Sequence, residues 1–331
     1  MTQLTSNIKI SKRTNILLKY SGYIVFLVLA IFFSIISPSF LKLQNLINIL
    51  NQCSVLAIAA AGMTIILIGG GTHVIQGGID LSLGNNLAII STITAVLISK
   101  NYSFFTILVI IVSCSLFIGL INAVMIVRLR IIPLLATLSM MYLLQGVELL
   151  ISGNKPINVS NPMLSFLSNG NFLFLPSSVW VFILVEIILY LLLNRSVFGN
   201  WINAVGGNPK AAMVSGINVN FILSVTYIIA SIVTLIASLL ATARLSGSVP
   251  GTGDVMLFDI LLAAYMSAVF SRTFIPNIPG AILSSLFVEM LTNGFTLINV
   301  PTYWVYAVKG ALILLTVAIS SKQQRRLEQY V

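Results

Sequence analysis

Long apolar runs, separated by short polar stretches, fill the chain from residue 20 to residue 320. A helix needs about 20 residues to cross the hydrocarbon core of a bilayer. The runs therefore predict ten helical segments, at residues 20–37, 46–69, 83–98, 103–127, 132–151, 178–194, 220–243, 257–270, 278–297 and 303–320. The third and eighth segments are short, which indicates broken or incompletely spanning helices. Merging them with their neighbours gives an eight-helix alternative.

The composition indicates which solvent surrounds this helical bundle. Hydrophobic residues make up 58% of the 331 positions and charged residues only 7%, whereas soluble domains carry about 25% charged residues. This small number of charges cannot cover a water-facing surface. The bilayer must therefore be the solvent for most of the outer surface of the protein. The predicted fold class is therefore all-α: a polytopic transmembrane helix bundle of about ten helices.

The basic residues of the loops predict the orientation of the bundle. If the N-terminus is inside and the helices alternate, twelve of the 17 lysines and arginines lie inside and four lie outside, with Lys309 in the last helix. The inside set is Lys9, Lys12, Arg13, Lys19, Arg128, Arg130, Arg195, Lys210, Arg272, Lys322, Arg325 and Arg326. The outside set is Lys42, Lys100, Lys155 and Arg244. This bias favours an N-in, C-in topology.

The same topology divides the chain into three parts. Residues 1–19 are predicted to be a cytoplasmic N-terminal segment, residues 20–320 the transmembrane domain, and residues 321–331 a cytoplasmic tail. The basic N-terminal residues precede the apolar run at 20–37, and no small-residue cleavage site follows that run. We therefore expect a retained first helix rather than a cleaved signal peptide.

The two halves of the chain repeat a short glycine-rich signal. Residues 77–80 (Gly-Gly-Ile-Asp) open the third helix, and residues 251–254 (Gly-Thr-Gly-Asp) precede the eighth. An offset of five helices places the matching helices in opposite directions, as expected of an inverted repeat.

Several classes of chemistry are not expected. Cys53 and Cys114 lie inside apolar runs without a CxxC spacing, which argues against a disulfide or metal site. His73 is the only histidine, and the glycine-rich residues 69–73 lack the GK[ST] ending of a phosphate loop. The sequence has no basic stripe with interleaved aromatic residues, so nucleic-acid binding is not expected. The chain is thus not expected to be an enzyme, and energy for any work must come from another subunit or an ion gradient.

The region that opens the third helix is the first candidate site. Glycine permits non-helical backbone there, and a short polar side chain can cap the helix that follows. Two interpretations stay open: a structural cap that holds a helix break, or direct contact with a solute. The candidate residues are Gly77, Gly78, Asp80, Ser82, Asn85 and Asn86.

Three acidic residues, Glu148, Glu186 and Glu289, lie within apolar runs. Charges at such positions are costly and usually face the interior of a bundle. They fit either a proton relay, which suggests an ion-coupled secondary transporter, or protonated or hydrogen-bonded contacts between helices.

The loop at residues 195–218 is the second candidate site, because it contains the signals of a short helix. Asn208 suits the N-cap position, Pro209 the first helical position, and Gly216 the C′ position. Connections between neighbouring helices are usually only a few residues long. A bounded helix in this loop therefore indicates docking with a partner.

Motifs in and around this loop resemble those of a known transporter family. The loop reads Phe-Gly at 198–199, AVGGN at 204–208, Ala-Ala at 211–212 and SGIN at 215–218. Further matches are AGMT at 61–64, residues 77–82, ATL at 136–138, Gln-Gly at 145–146 and GTG at 251–253 followed by Asp259. These motifs, in this order along the chain, resemble those of the permease subunits of bacterial ABC importers in the ribose/xylose/autoinducer-2 branch.

The resemblance implies a function and a set of partners. Two permease subunits, identical or different, would pair in the lipid of the bacterial inner membrane with two ATPase subunits that bind ATP, and with a periplasmic or extracellular solute-binding protein. The permease would bind no cofactor itself and would import a monosaccharide or a similar small polar solute. The loop resembles the family's coupling helix, which implies an ATPase-coupling role for Gly199, Gly206, Gly207, Asn208, Ala211, Ala212, Ser215 and Gly216. One departure is the absence of the family's glycine cluster from residues 263–272.

Overall fold

The computed structural model describes residues 20–71, 78–271 and 274–328. The predicted N-terminal segment, Gly77, His73 and the end of the C-terminal tail lie outside these ranges. Within them most of the chain is helical, which confirms the all-α class. The longer helices are α1 (Ser21–Ile36), α2 (Leu43–Gly70), α3 (Leu83–Ser99), α4 (Phe104–Ala123, continued by a π-helical turn at Val124–Arg128), α5 (Pro133–Ser152), α7 (Ser177–Arg195), α10 (Val219–Leu245), α11 (Thr252–Met266), α12 (Ile278–Leu297) and α13 (Thr302–Glu328). The shorter elements are α6 (Pro162–Asn169), α8 (Val197–Gly207), α9 (Pro209–Val214), β1 (Ile157–Asn158), β2 (Asn171–Phe172), β3 (Leu175–Pro176) and β4 (Gly247–Ser248).

Helix length and apolarity set which helices can cross a bilayer alone. Of the described helices, α2, α4 with its π-helical turn, α5, α7, α10 and α12 are long and apolar enough to do so. The apolar parts of α1, α3 and α13 are shorter, and α11 has only 15 residues. The structure is thus a polytopic bundle, and the number of full crossings and their orientation stay predictions.

Helix α2 lies at the centre of the bundle. Its most apolar stretch is 94% buried, whereas that of α4 is only 28% buried. It packs against α10, α12, α11 and α7, and its small residues permit close approach: a Cβ on Gly62 would lie 3.1 Å from the backbone oxygen of Ala230 on α10. Small residues at helix contacts are typical of membrane bundles, where van der Waals packing drives association.

Helix α10 separates two groups of loops. At its C-terminal end, β4 pairs antiparallel with β1, so the connections after α5 and α10 lie together. At its N-terminal end lie α8 and α9, and α8 contacts the C-terminal end of α2. Because α10 has 27 residues, about 40 Å separates the two groups, as alternating crossings require.

Residues 263–271, the described part of the stretch that lacks the family's glycine cluster, are closely packed nonetheless. Ala263 and Ala264 are fully buried near the end of α11, and Met266 is 3% exposed. The glycine at this contact belongs to the other helix: a Cβ on Gly280 of α12 would overlap the backbone oxygen of Ser267. Close packing here is therefore supplied from α12.

Candidate functional site

Helices α3 and α11 meet at their N-terminal turns in the interior of the bundle. A Cβ on Gly84 would overlap the backbone oxygen of Gly253, and one on Gly253 would overlap Oδ1 of Asn85. Only glycine permits the two backbones to lie so close. The N-terminus of a helix carries partial positive charge, so this crossing brings two positive helix ends together.

Asp80 holds the turn that leads into α3. Its Oδ1 accepts hydrogen bonds from the backbone N–H of Ser82 (2.8 Å) and from Ser82 Oγ (2.6 Å). Asn122 of α4 donates through Nδ2 to Asp80 Oδ2 (3.1 Å) and to Ser82 Oγ (2.8 Å). Asp80 is 1% exposed and Ser82 is fully buried. The Asp80 carboxylate therefore joins the helix break to α4, while the Ser82 side chain does not cap α3.

The two asparagines in the first turn of α3 join it to other helices. Asn85 Nδ2 donates to Asp254 Oδ1 on α11 (3.0 Å), and Gln145 Nε2 of α5 donates to Asp254 Oδ2 (2.6 Å). Asn86 Nδ2 donates to Ser231 Oγ of α10 (2.8 Å). The carboxylate of Asp254 thus links three helices at the crossing.

The predicted residues of this region that the structure describes lie together in the buried interior of the subunit. Gly78, Asp80, Ser82, Asn85 and Asn86 are all buried, which fits a structural helix break. Their partners are not among the site residues predicted from the sequence. The signal was present, since a polar residue in an apolar run usually faces a polar partner. The partners are Asn122, Gln145, Ser231 and Asp254.

The acidic residues within the apolar runs lie on different helices. Glu148 of α5 is fully buried and accepts a weak hydrogen bond from Thr92 Oγ1 of α3 (3.4 Å). Glu186 of α7 is 3% exposed and Glu289 of α12 is 9% exposed. In the part of the chain that the structure describes, no three histidine, cysteine or acidic side chains form a group able to hold a metal ion.

The loop at residues 195–218 folds into two helices, α8 and α9. Asn208 caps α9, as the sequence predicts: its Oδ1 accepts from the backbone N–H of Ala211 at 3.0 Å. Pro209 is the first residue of α9, and Gly216 follows with a φ of 83°. Helix α8 was not predicted, and it begins with Ser196 Oγ accepting from the backbone N–H of Gly199 at 3.0 Å. We call residues 196–216 the coupling segment, after the role that the sequence resemblance implies for them.

The coupling segment has one side packed on the bundle and one side exposed. A Cβ on Gly206 would overlap the backbone oxygen of Ile68 in α2, Gly199 lies as closely against Leu193, and Ala212 is only 4% exposed. The remaining predicted residues, Gly207, Asn208, Ala211, Ser215 and Gly216, are exposed. Beside them Met213 is 64% exposed and Val214 is 88% exposed. The segment thus presents a partly apolar surface away from the membrane-spanning helices.

Comparison with known proteins places the chain in a family. Residues 45–317 match the family described as the branched-chain amino acid transport system / permease component. The chain belongs to this permease family. The ribose import permease protein RbsC of Escherichia coli (strain K12) is 30% identical over 312 residues, which are 93% of this chain and 95% of the relative. No solved structure matches the chain significantly.

Two further relatives show the same full-length similarity to this permease. The galactose/methyl galactoside import permease protein MglC of Escherichia coli (strain K12) is 30% identical over 330 residues, with 93% of this chain and 96% of the relative covered. The L-arabinose ABC transporter permease protein AraH of Azospirillum brasilense is 28% identical over 313 residues, with 94% and 90% covered. With the apolar helices described above, this family membership makes the chain a multi-pass membrane permease.

Proposed function

We propose that this chain is the permease subunit of a bacterial ABC importer that moves a monosaccharide, or a similar small polar solute, into the cytoplasm. The observation that carries the proposal is the similarity, over more than nine-tenths of this chain, to permeases named for ribose, galactose and arabinose. ATP would be bound and hydrolysed by a separate ATPase subunit. A solute-binding protein and a second permease copy would complete the importer in the inner membrane.

The coupling segment is the proposed contact with the ATPase. Its exposed side includes Ala211, Met213 and Val214, which are apolar and unlike an ordinary solvated loop. Its packed side contacts the ends of α2 and α7 through Gly206 and Gly199. An ATP-driven movement of the ATPase would therefore act on α8 and α9 and pass directly to two membrane-spanning helices.

The crossing of α3 and α11 supports the proposed inverted repeat. Thr92 on α3 contacts Ser248 of β4 at 2.6 Å, and Gly84 at the start of α3 contacts Gly253 and Leu257 of α11. The chain from Ser248 to Leu257 therefore runs alongside α3 in the opposite direction. Short helices that begin near the middle of a bundle in opposite directions are typical of transporters built from inverted repeats.

The surface of the coupling segment can be tested by a single charge. Ala211→Glu places a carboxylate on the exposed side of α9, where contact with the ATPase would bury an unpaired charge. We expect loss of sugar uptake and of ATPase co-purification, with normal abundance of the permease. Uptake of labelled ribose, galactose and arabinose is measured in cells that co-express the candidate ATPase and binding protein.

Three controls separate coupling from folding. Lys155→Glu changes an exposed charge at the other end of the bundle and should leave uptake unchanged. Ala212→Glu replaces a buried residue and should lower abundance. A catalytically dead ATPase should stop uptake in cells with the unaltered permease. Uptake that continues with the dead ATPase, but stops promptly with a proton ionophore at constant ATP, would favour the ion-coupled secondary transporter.

A further inference from the structure

A cleft of about 360 Å³ lies between α11 and α13. Its polar lining comes from Asp254, Asp259, Tyr306 and Lys309, and Phe258 lies beside them. Small-molecule sites usually enclose about 300 to 1,000 Å³ and combine apolar walls with a few polar groups. The cleft has this size and this composition.

An ion pair forms one wall of the cleft. Lys309 Nζ lies 2.8 Å from Asp259 Oδ1 and 2.9 Å from Asp259 Oδ2, and both residues are less than one-tenth exposed. The ammonium group has three donors, so at least one remains beyond those directed at the two oxygens of Asp259. Asp254 carries a second carboxylate, and each of its oxygens already accepts one amide hydrogen bond, from Asn85 and Gln145. Each oxygen has a further lone pair for another donor.

The charged groups indicate what the cleft faces. Large side chains surround it at the surface of the subunit, since Phe258 is 60% exposed and Tyr306 is 51% exposed. Charged residues within membrane segments face the bundle interior or a water-filled cavity, because contact with hydrocarbon is costly. The ion pair meets this requirement by being buried, whereas Asp254 is only partly buried and lines the cleft. Its carboxylate therefore argues that the cleft faces water rather than lipid tails.

The chemistry of the cleft fits a neutral, hydroxyl-rich solute. We propose that the cleft binds a neutral sugar during its passage, with Asp254 accepting from sugar hydroxyls, Lys309 donating to one, and the rings of Tyr306 and Phe258 against the C–H face. With Asp259 paired to Lys309, the cleft has one net negative charge, which disfavours anionic sugars. This inference rests on the proposed function and assigns the solute contacts to residues outside the helix break.

The first test compares two tyrosines on α13. Tyr306 lines the cleft, whereas Tyr303, 67% exposed, does not. We expect Tyr306→Ala to lower the maximal uptake of the transported sugar about tenfold, the effect of about 1.4 kcal/mol, and to change the relative rates for ribose, galactose and arabinose. Tyr303→Ala should change neither by more than about twofold, as is usual for surface positions. Abundance and ATPase co-purification are measured for both variants.

The second test reports access and binding without relying on transport. The two cysteines, Cys53 and Cys114, are replaced by alanine, and Phe258→Cys is introduced into this chain. The assembled importer is then treated with a charged, membrane-impermeant maleimide. We expect labelling in the absence of sugar and at least roughly fivefold slower labelling during transport, because bound sugar excludes the reagent. Tyr303→Cys provides the comparison for effects of conformational change alone.

The outcomes separate this proposal from the one on which it rests. No ATPase-dependent uptake of any sugar by the unaltered importer would refute the proposed function, and the cleft assignment with it. Normal uptake but no labelling of Phe258→Cys would show that lipid or a second copy covers the cleft, and would overturn the assignment alone. The cleft assignment would also be overturned if sugar did not slow the labelling, or if the Tyr306→Ala variant behaved like Tyr303→Ala.

Discussion

At the scale of single residues, two adjacent glycines in α8 have different surroundings. A Cβ on Gly206 would overlap the backbone oxygen of Ile68, whereas a Cβ on Gly207 would meet nothing within 4 Å. We expect Gly206→Ala to destabilise the permease by about 1 to 3 kcal/mol, as overpacking usually does. The measurement is thermal or chemical unfolding of the purified protein in detergent.

The matched control is Gly207→Ala. Alanine is favoured over glycine in a helix, so this variant should be as stable as the unaltered protein or slightly more stable. Equal stabilities of the two variants would show that α8 does not lie as closely against α2 as the structure places it.

At the scale of elements, the start of α3 depends on a side chain from α4. Asn122 supplies both the hydrogen bond to Asp80 Oδ2 and the one to Ser82 Oγ. Asn122→Ala leaves a buried carboxylate oxygen without this partner, at a cost of about 1 to 3 kcal/mol or more. We expect a lower midpoint of unfolding and reduced abundance.

Asn194→Ala is the comparison for this element. Asn194 is exposed and, among the residues that the structure describes, donates to the backbone oxygen of Tyr190 within its own helix. Its loss should therefore change stability by less than about 0.5 kcal/mol. If Asn122→Ala were equally mild, the turn before α3 would not depend on its contact with α4.

The elements also show what the sequence could predict. The apolar runs located the long helices that the structure describes, because length and apolarity are local properties. Asn208, Pro209 and Gly216 located α9 because capping depends on neighbouring residues. Helix α8 was missed, since it contains Gly199, Gly206 and Gly207 and glycine disfavours helix; packing of this helix on α2 and α7 overrides that preference.

The candidate site was predictable only in part, for a similar reason. Residues 77–86 were selected from their local glycine and cap signals. Asn122 is 42 residues from Asp80, and Asp254 is 169 residues from Asn85. Contacts over such separations come from tertiary packing, which one sequence does not encode in a readable pattern. The cleft between α11 and α13 was missed because its two walls lie on separate helices.

At the scale of the whole molecule, the two groups of loops at opposite ends of α10 test the predicted topology. Lys155 lies near the β1–β4 end and Lys210 lies in the coupling segment. In the cysteine-free chain, we expect an impermeant maleimide to label Lys155→Cys in intact cells and Lys210→Cys only after the membrane is permeabilised. Both positions are exposed, so access alone decides the result. The opposite pattern would invert the N-in, C-in assignment.

The close contact between α8 and α2 also has a mechanical consequence. Two backbones in direct contact, without an intervening side chain at Gly206, leave no rotamers to absorb a displacement. We expect a joint of this kind to have low compliance, so that a displacement of α8 is passed to the end of α2 with little loss. Since α2 is the most deeply buried of the membrane-spanning candidates, a movement imposed on α8 by the proposed ATPase would reach the middle of the permease through a single stiff contact.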